Sequence, residues 1–200
     1  MATKPGRKTA RPVAKAKPSL RSIAPPEATV LASLASMGSV AAAAFASRFF
    51  KTGIGQYGEG DQFLGIKVPV LRAFVRDLKG AGIEVALPLL RSSWHEARAA
   101  ELMLLVRIFQ RGDEKTRKRI FGLYLKSTKF INNWDLVDVS AEHVLGVWLS
   151  DKPSARKLVL TRLAKSESLW ERRVAILATS LHQERRRCRD VAHREVAIER

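Results

Sequence analysis

The sequence is poor in the residues that build covalent or metal-held frameworks. Cys188 is its single cysteine, which excludes an intrachain disulfide and a thiolate-based metal site. The histidines, His95, His143, His182 and His193, stand at no metal-ligand spacing with carboxylates or thiols. No zinc site, iron–sulfur cluster or other metal is therefore expected. There is no serine nucleophile elbow and no Walker motif. No stretch reaches ~18 uninterrupted apolar residues, so no membrane span is expected. Acidic residues are missing altogether before Glu27.

What is present is apolar mass and positive charge. Apolar residues make up 46% of 200 residues, enough for one domain with a sizeable core. The formal net charge is +17. Such an excess speaks to partners rather than to fold. Nucleic acid comes first, because cationic side chains displace counterions from phosphates. An anionic membrane surface comes second. Residues 1–26 concentrate Lys4, Arg7, Lys8, Arg11, Lys15, Lys17 and Arg21 among Pro, Ala and Ser. They read as a basic disordered tail, either adding non-specific DNA affinity or merely solvated. A transit peptide ranks lower, because no clear amphipathic helix is present.

From Ala28 onward apolar residues recur at spacings of three and four, and alternation is scarce, which predicts an all-α fold. Helices are expected near 28–50, 69–79, 83–91, 94–110, 114–126, 133–149, 153–165 and 168–183. Pro69 suits a first helical turn. Gly112-Asp113 ends one helix and caps the next. Asn132 or Asn133 is expected to cap the 133–149 helix, and Asp151 the following one. Glu96-x-Arg98-x-Ala100 recurs as Glu171-x-Arg173-x-Ala175, 75 residues later. That is about twice a HEAT-like period of ~40, with a middle unit beginning near Asn133. The plain alternative for these Glu and Arg residues is structural ion pairing between repeats.

The loop Gly53-Ile54-Gly55-Gln56-Tyr57-Gly58 matches G-x-G-x-x-G. It follows a helical segment and runs on into more loop, so a dinucleotide fold is rejected. Its glycines instead suit positive φ in an irregular connection, with backbone amides as candidate phosphate contacts. Trp134 and Asp138 lie four apart, stacked on one helix face. Asp138 falls beside the apolar stripe of Val137, Ala141, Val144 and Trp148, at the rim between core and solvent. A carboxylate beside an indole there suits a catalytic site. It equally suits an ordinary helix start, with Asp135 at the cap and Asp138 favoured by the helix dipole.

Several segments together resemble the DNA alkylation repair family, the AlkD-like glycosylases. They are Phe50-Lys51-Thr52-Gly53, Gly58 through Ile66 with Val68-Pro69, Asn132 through Asp138, and Leu169-Trp170-Glu171-Arg172-Arg173. The likeness spans roughly residues 30–180. It implies a HEAT-like, armadillo-type α-solenoid over residues 27–183 with a concave basic face. It also implies excision of cationic N3- or N7-alkylated purines from double-stranded DNA, with no cofactor. By position, Asp138 matches the catalytic carboxylate and Trp134 an aromatic wall of the site. Arg173 matches a basic residue near the DNA backbone, and Trp170 is taken as packing. Arg98, Lys129 and Asn133 are further DNA-binding candidates. After Thr179 the text turns polar and Arg-rich, and residues 184–200 depart from the family pattern. That pattern continues with further helices and another active-site tryptophan, for which no match is found. The departing segment leaves two readings, an active glycosylase or a DNA-binding scaffold with an incomplete site. A helical-repeat protein for acidic protein partners is a third. A monomeric protein of a bacterial cytoplasm is the natural expectation.

Overall fold

The computed structural model describes residues 27–78 and 80–180. The expectations for residues 1–26 and 184–200 lie outside the described residues. Within them the chain is all-helical, with a lone bridge between Gln62 and Trp94 in place of any strand. No single described helix is long and apolar enough to cross a membrane.

The expected helix 28–50 is two helices, α1 (Glu27–Ser36) and α2 (Val40–Phe49), bent by 98°. Gly38 and Ser39 cause the break. Ser39 is extended, its hydroxyl accepts from the Ala42 amide, and its own amide donates to the Leu64 carbonyl at 2.9 Å. That is an N-cap in the middle of an apolar run. Gly65, at φ 78°, presses against the same turn, where a Cβ would sit 2.2 Å from the Ser39 carbonyl oxygen. Only glycine permits both the angle and the approach.

Next come α3 (Val68–Asp77), with Pro69 in its first turn as expected, and α4 (Ile83–Leu89). They are followed by α5 (His95–Arg111) and α6 (Glu114–Lys126). Asp113 caps α6 by accepting from the Thr116 amide at 2.8 Å. The expected helix 133–149 is interrupted. α7 (Trp134–Asp138) ends in a turn, and the chain resumes through a π-helical turn, Glu142–Gly146. Ser140 explains the break. Its buried hydroxyl donates back to the Leu136 carbonyl at 2.6 Å and meets the Tyr124 hydroxyl at 2.9 Å. A serine that bonds the carbonyl four residues back bends the helix it sits in. Then follow α8 (Pro153–Ala164) and α9, helical over 169–180. The cap of α8 departs from expectation. Lys152 occupies it without a side-chain bond, while the Asp151 carboxylate accepts from the Lys152 ammonium.

α5 organises the core. It packs against α1, α3, α4, α6, α7 and the π turn. Leu102, Leu104, Leu105, Val106 and Phe109 are buried around it, as a central helix requires. Arginines tie off helix ends nearby. Arg107 donates to the Val75 and Arg76 carbonyls at the end of α3, and Arg117 to those of Phe109 and Gln110 at the end of α5. These bonds satisfy carbonyls that a helix C-terminus leaves open.

Glu101 is the anomaly of this core. It is fully buried, and neither carboxyl oxygen has a hydrogen-bond partner among the described residues. Burial, reinforced by Glu27, pushes its pKa from 4.5 up to about 9. The fold therefore accommodates the protonated form. Its ionisation costs nothing below pH 4.5, and the destabilisation from this one group grows as pH climbs from 4.5 towards 9. Glu101→Gln removes that dependence. In urea unfolding at pH 7 it raises stability by up to about 3 kcal/mol, from 1.36 kcal/mol per pH unit above 4.5. An unchanged or lowered midpoint refutes a neutral, unpaired Glu101.

Candidate active site

The site is assembled on α7, and α7 is placed by charges buried beneath it. Asn133 caps α7, accepting from the Trp134 amide at 2.8 Å. Below it, Asp61 sits almost fully buried in the loop between α2 and α3. Its Oδ1 accepts from Arg98 at 2.6 Å and Asn132 at 3.3 Å. Its Oδ2 faces His95 at 3.3 Å and Asn133 at 3.5 Å. Burial works against the Asp61 charge, but the bonds to His95 and Arg98 outweigh it and hold the carboxyl below its usual range. Glu96 completes the clasp by accepting from the amides of Leu64, Gly65 and Ile66 at 2.9, 2.8 and 3.2 Å.

On the open side, Trp134 is half-buried. It stacks on Phe50 at 5.3 Å and meets the edge of Phe49 at 6.0 Å. One turn on, Asp138 is exposed and held by Arg173 of α9. Arg173 Nε donates to Oδ1 and its terminal nitrogen to Oδ2, both at 2.9 Å. The side chains keep 40% and 38% of their surface open. A groove of ≈ 580 Å³ runs beside them, lined by Tyr57, Trp134, Leu169, Trp170, Arg173 and Ile176. Tyr57 meets Trp170 edge-on at 5.6 Å, with the Lys51 ammonium 6.0 Å above its ring.

Trp134 and Asp138 thus stand one turn apart on α7, and Arg173 pairs with Asp138 while lining the groove with Trp134. Two DNA-binding candidates do not join them. Arg98 is 5% exposed, its two terminal nitrogens donate to Asp61 and the Ser92 carbonyl, and its Nε is buried. Asn133 is 0% exposed and spends its amide on the cap and on Asp61. Both are structural, because a side chain buried this deeply cannot reach a phosphate. Lys129 is exposed, 4.9 Å above the Phe130 ring and outside the groove lining. Trp170 lines the groove as well as packing. In the glycine loop, the Gly53 and Gly55 amides already bond the side chains of Gln56 and Glu59. Among the described residues no His, Cys, Asp or Glu cluster is arranged to hold a metal.

The recurring Glu-x-Arg does not pair internally. Each arginine reaches back to an earlier aspartate, Arg98 to Asp61 across 37 positions and Arg173 to Asp138 across 35. Each glutamate secures a preceding segment, Glu96 through amides and Glu171 through the Thr128 hydroxyl at 2.6 Å. Tyr57, Phe49, Phe50, His95 and Asp61 went unassigned in the sequence. No local period marks them, since their importance lies in contacts across 34 to 113 positions.

An aspartate–arginine pair at the mouth of an aromatic groove, carried by these motifs, is decided by comparison with known families. Residues 30–197 match the DNA alkylation repair enzyme family. The chain belongs to that family. No individual curated protein gives a match. The family match takes in Asp61, α7 and Arg173 alike, and extends into the Arg-rich segment after α9. In this DNA alkylation repair protein the buried network and the open pair lie within one family pattern.

Removing the Asp61 charge leaves Arg98 buried without its counter-ion and His95 with Asp135 alone. Losing one partner of a buried pair costs about 3–5 kcal/mol. Asp61→Asn is expected to lower stability by that amount in urea unfolding. A loss under about 1 kcal/mol, the scale of an exposed pair, shows that the network does not hold α7.

Proposed function

We propose that this DNA alkylation repair enzyme is an N-glycosylase acting on cationic N3- or N7-alkylated purines in double-stranded DNA. The observation that carries the reading is Asp138, a solvent-open carboxylate one helical turn from Trp134 on the edge of an aromatic groove. The fold around the groove is read as a HEAT-like solenoid with a basic concave face, taken to follow the duplex.

The chemistry suits so sparse a site. Cleavage of an N-glycosidic bond passes through an oxocarbenium-like sugar, and a general acid ordinarily protonates the leaving group. An alkylated purine already carries positive charge. Its nitrogen takes the bonding pair and departs as a neutral base, with no acid needed. Water then forms the new bond to the anomeric carbon and loses one proton, leaving an abasic sugar. Asp138 stabilises the sugar cation and orients that water. Trp134 meets the sugar or the cationic base through its π face. Arg173 turns to a backbone phosphate, for which its planar fork suits it as well as it suits a carboxylate.

One observation favours a second reading, a DNA-binding scaffold without catalysis. Arg173 occupies both oxygens of Asp138, so the carboxylate is neutralised until the guanidinium leaves.

The deciding experiment is free-base release from DNA methylated at N7 and N3 of purines. Wild type is expected to release base, and Asp138→Asn to lower the rate by about 10²-fold or more, the scale of losing one electrostatic stabiliser. Equal release by both variants removes Asp138 from the site. Release by neither, with both binding duplex DNA, establishes the scaffold. Arg173→Ala is expected to reduce the slope of log affinity against log salt by about 1. An unchanged slope means that Arg173 meets no phosphate.

A further inference from the structure

A cluster of four rings joins the buried network to the groove, with Phe63, His95 and Phe50 in mutual contact and Phe50 also stacked on Phe63 at 5.0 Å. Phe63 stacks on His95 at 4.6 Å, His95 lies 4.9 Å from Phe50, and Phe50 stacks on Trp134 at 5.3 Å. His95 is 2% exposed. Its Nε2 lies 2.7 Å from Oδ2 of Asp135 on α7, and its Nδ1 3.3 Å from Oδ2 of Asp61. A carboxylate only accepts, and neutral imidazole has a single N–H. Only imidazolium donates to both. The face of Phe63, stacked on the imidazole, suits the same charged form.

We infer that His95 is a positioning residue for the Trp134–Asp138 site, holding α7 through Asp135 and the Trp134 indole through Phe50. This rests on the reading of that site given above. Asp135 Oδ1 is buried with no hydrogen-bond partner among the described residues. The bond from His95 is therefore what fixes this carboxylate, and with it the first turn of α7. Loss of the ring proton leaves one nitrogen lone pair facing a carboxylate. One of the two bonds then opens, and the helix carrying Trp134 and Asp138 loses a tie.

The charged groups facing the ring are Asp135 from α7, Asp61 from the preceding loop and Arg98 from α5 itself. Glu96, next in sequence, is turned to the backbone amides of residues 64–66. Burial alone lowers the His95 pKa, and Arg98 adds to that. The bonds to Asp135 and then Asp61 outweigh both, and the net direction is upward from 6.5. The tether is therefore complete below pH 6.5 and is lost as pH rises through the elevated value.

The test uses the full chain labelled with 5-fluorotryptophan, its Trp134 resonance assigned by loss in Trp134→Phe. The Trp134 fluorine signal is expected to hold below pH 6.5 and titrate above it. His95→Phe keeps the ring stack without donors and abolishes that transition. Asp135→Asn keeps the histidine, should His95→Phe fail to fold, and moves the midpoint down. A transition that survives His95→Phe, or keeps its midpoint in Asp135→Asn, belongs to another group and overturns the inference. So does a Trp134 signal indifferent to pH. In base release, His95→Gln is expected to lower kcat by roughly 10- to 100-fold, the scale of a misplaced site, with KM little changed. Should wild type release no base, the glycosylase reading falls alone, and the fluorine titration still decides His95.

Discussion

Asp61 is the point at which separate segments of the chain are joined by charge. Its carboxylate receives Arg98 and His95 from α5 and the Asn132 and Asn133 side chains from the entry to α7. Taking these groups out of water is expensive, and the cost is met only while every partner is in place. The network is therefore all or nothing. While it stands, the irregular loop from Gly58 to Ile66 is fixed against α5 and the start of α7 is fixed against both. Apolar packing around α5 holds the helices together, but it is non-directional. It does not by itself set the orientation of a five-residue helix such as α7.

The same aspartate–arginine chemistry is used a second time with a different outcome. Arg98 and Asp61 are buried, and their bond is structural. Arg173 and Asp138 make a bidentate pair with about two-fifths of each side chain in solvent. In water such a pair contributes little to stability, so little is lost when it opens. In the glycosylase reading proposed above, this is the arginine that leaves and the carboxylate that is uncovered. The difference between framework and site is thus one of dielectric surroundings, not of residue type.

Between the two pairs lies the aromatic cluster. It links His95, inside the protein, to Trp134, at the groove, through rings in contact. The polar tie from His95 to Asp135 runs alongside it to the same helix. Trp134 is consequently held from beneath by stacking and from its own backbone by the cap at Asn133. It is a supported wall and not a free surface indole.

Much of this was legible in the sequence because it is local. Spacings of three and four gave the helices, Asp113 and Pro69 their starts, and the Trp134–Asp138 interval one shared helix face. Net charge pointed to a polyanion, and the ordered motifs pointed to a DNA alkylation repair family before any coordinate was known. The misreadings were local too. Gly38-Ser39 breaks an apolar run that reads as continuous, and the back-bonding of Ser140 is invisible without its carbonyl partner. What the tertiary structure alone decided was accessibility. Arg98 and Arg173 stand in the same motif, and nothing in their neighbours tells which is buried. A side chain's chemistry depends on whether water or a partner charge surrounds it, and that is set by residues 30 to 70 positions away. Sequence by itself determined the helices, the charge and the reactive residue types. The fold determined which arginine was spent in the buried framework and which was left in a solvent-open pair.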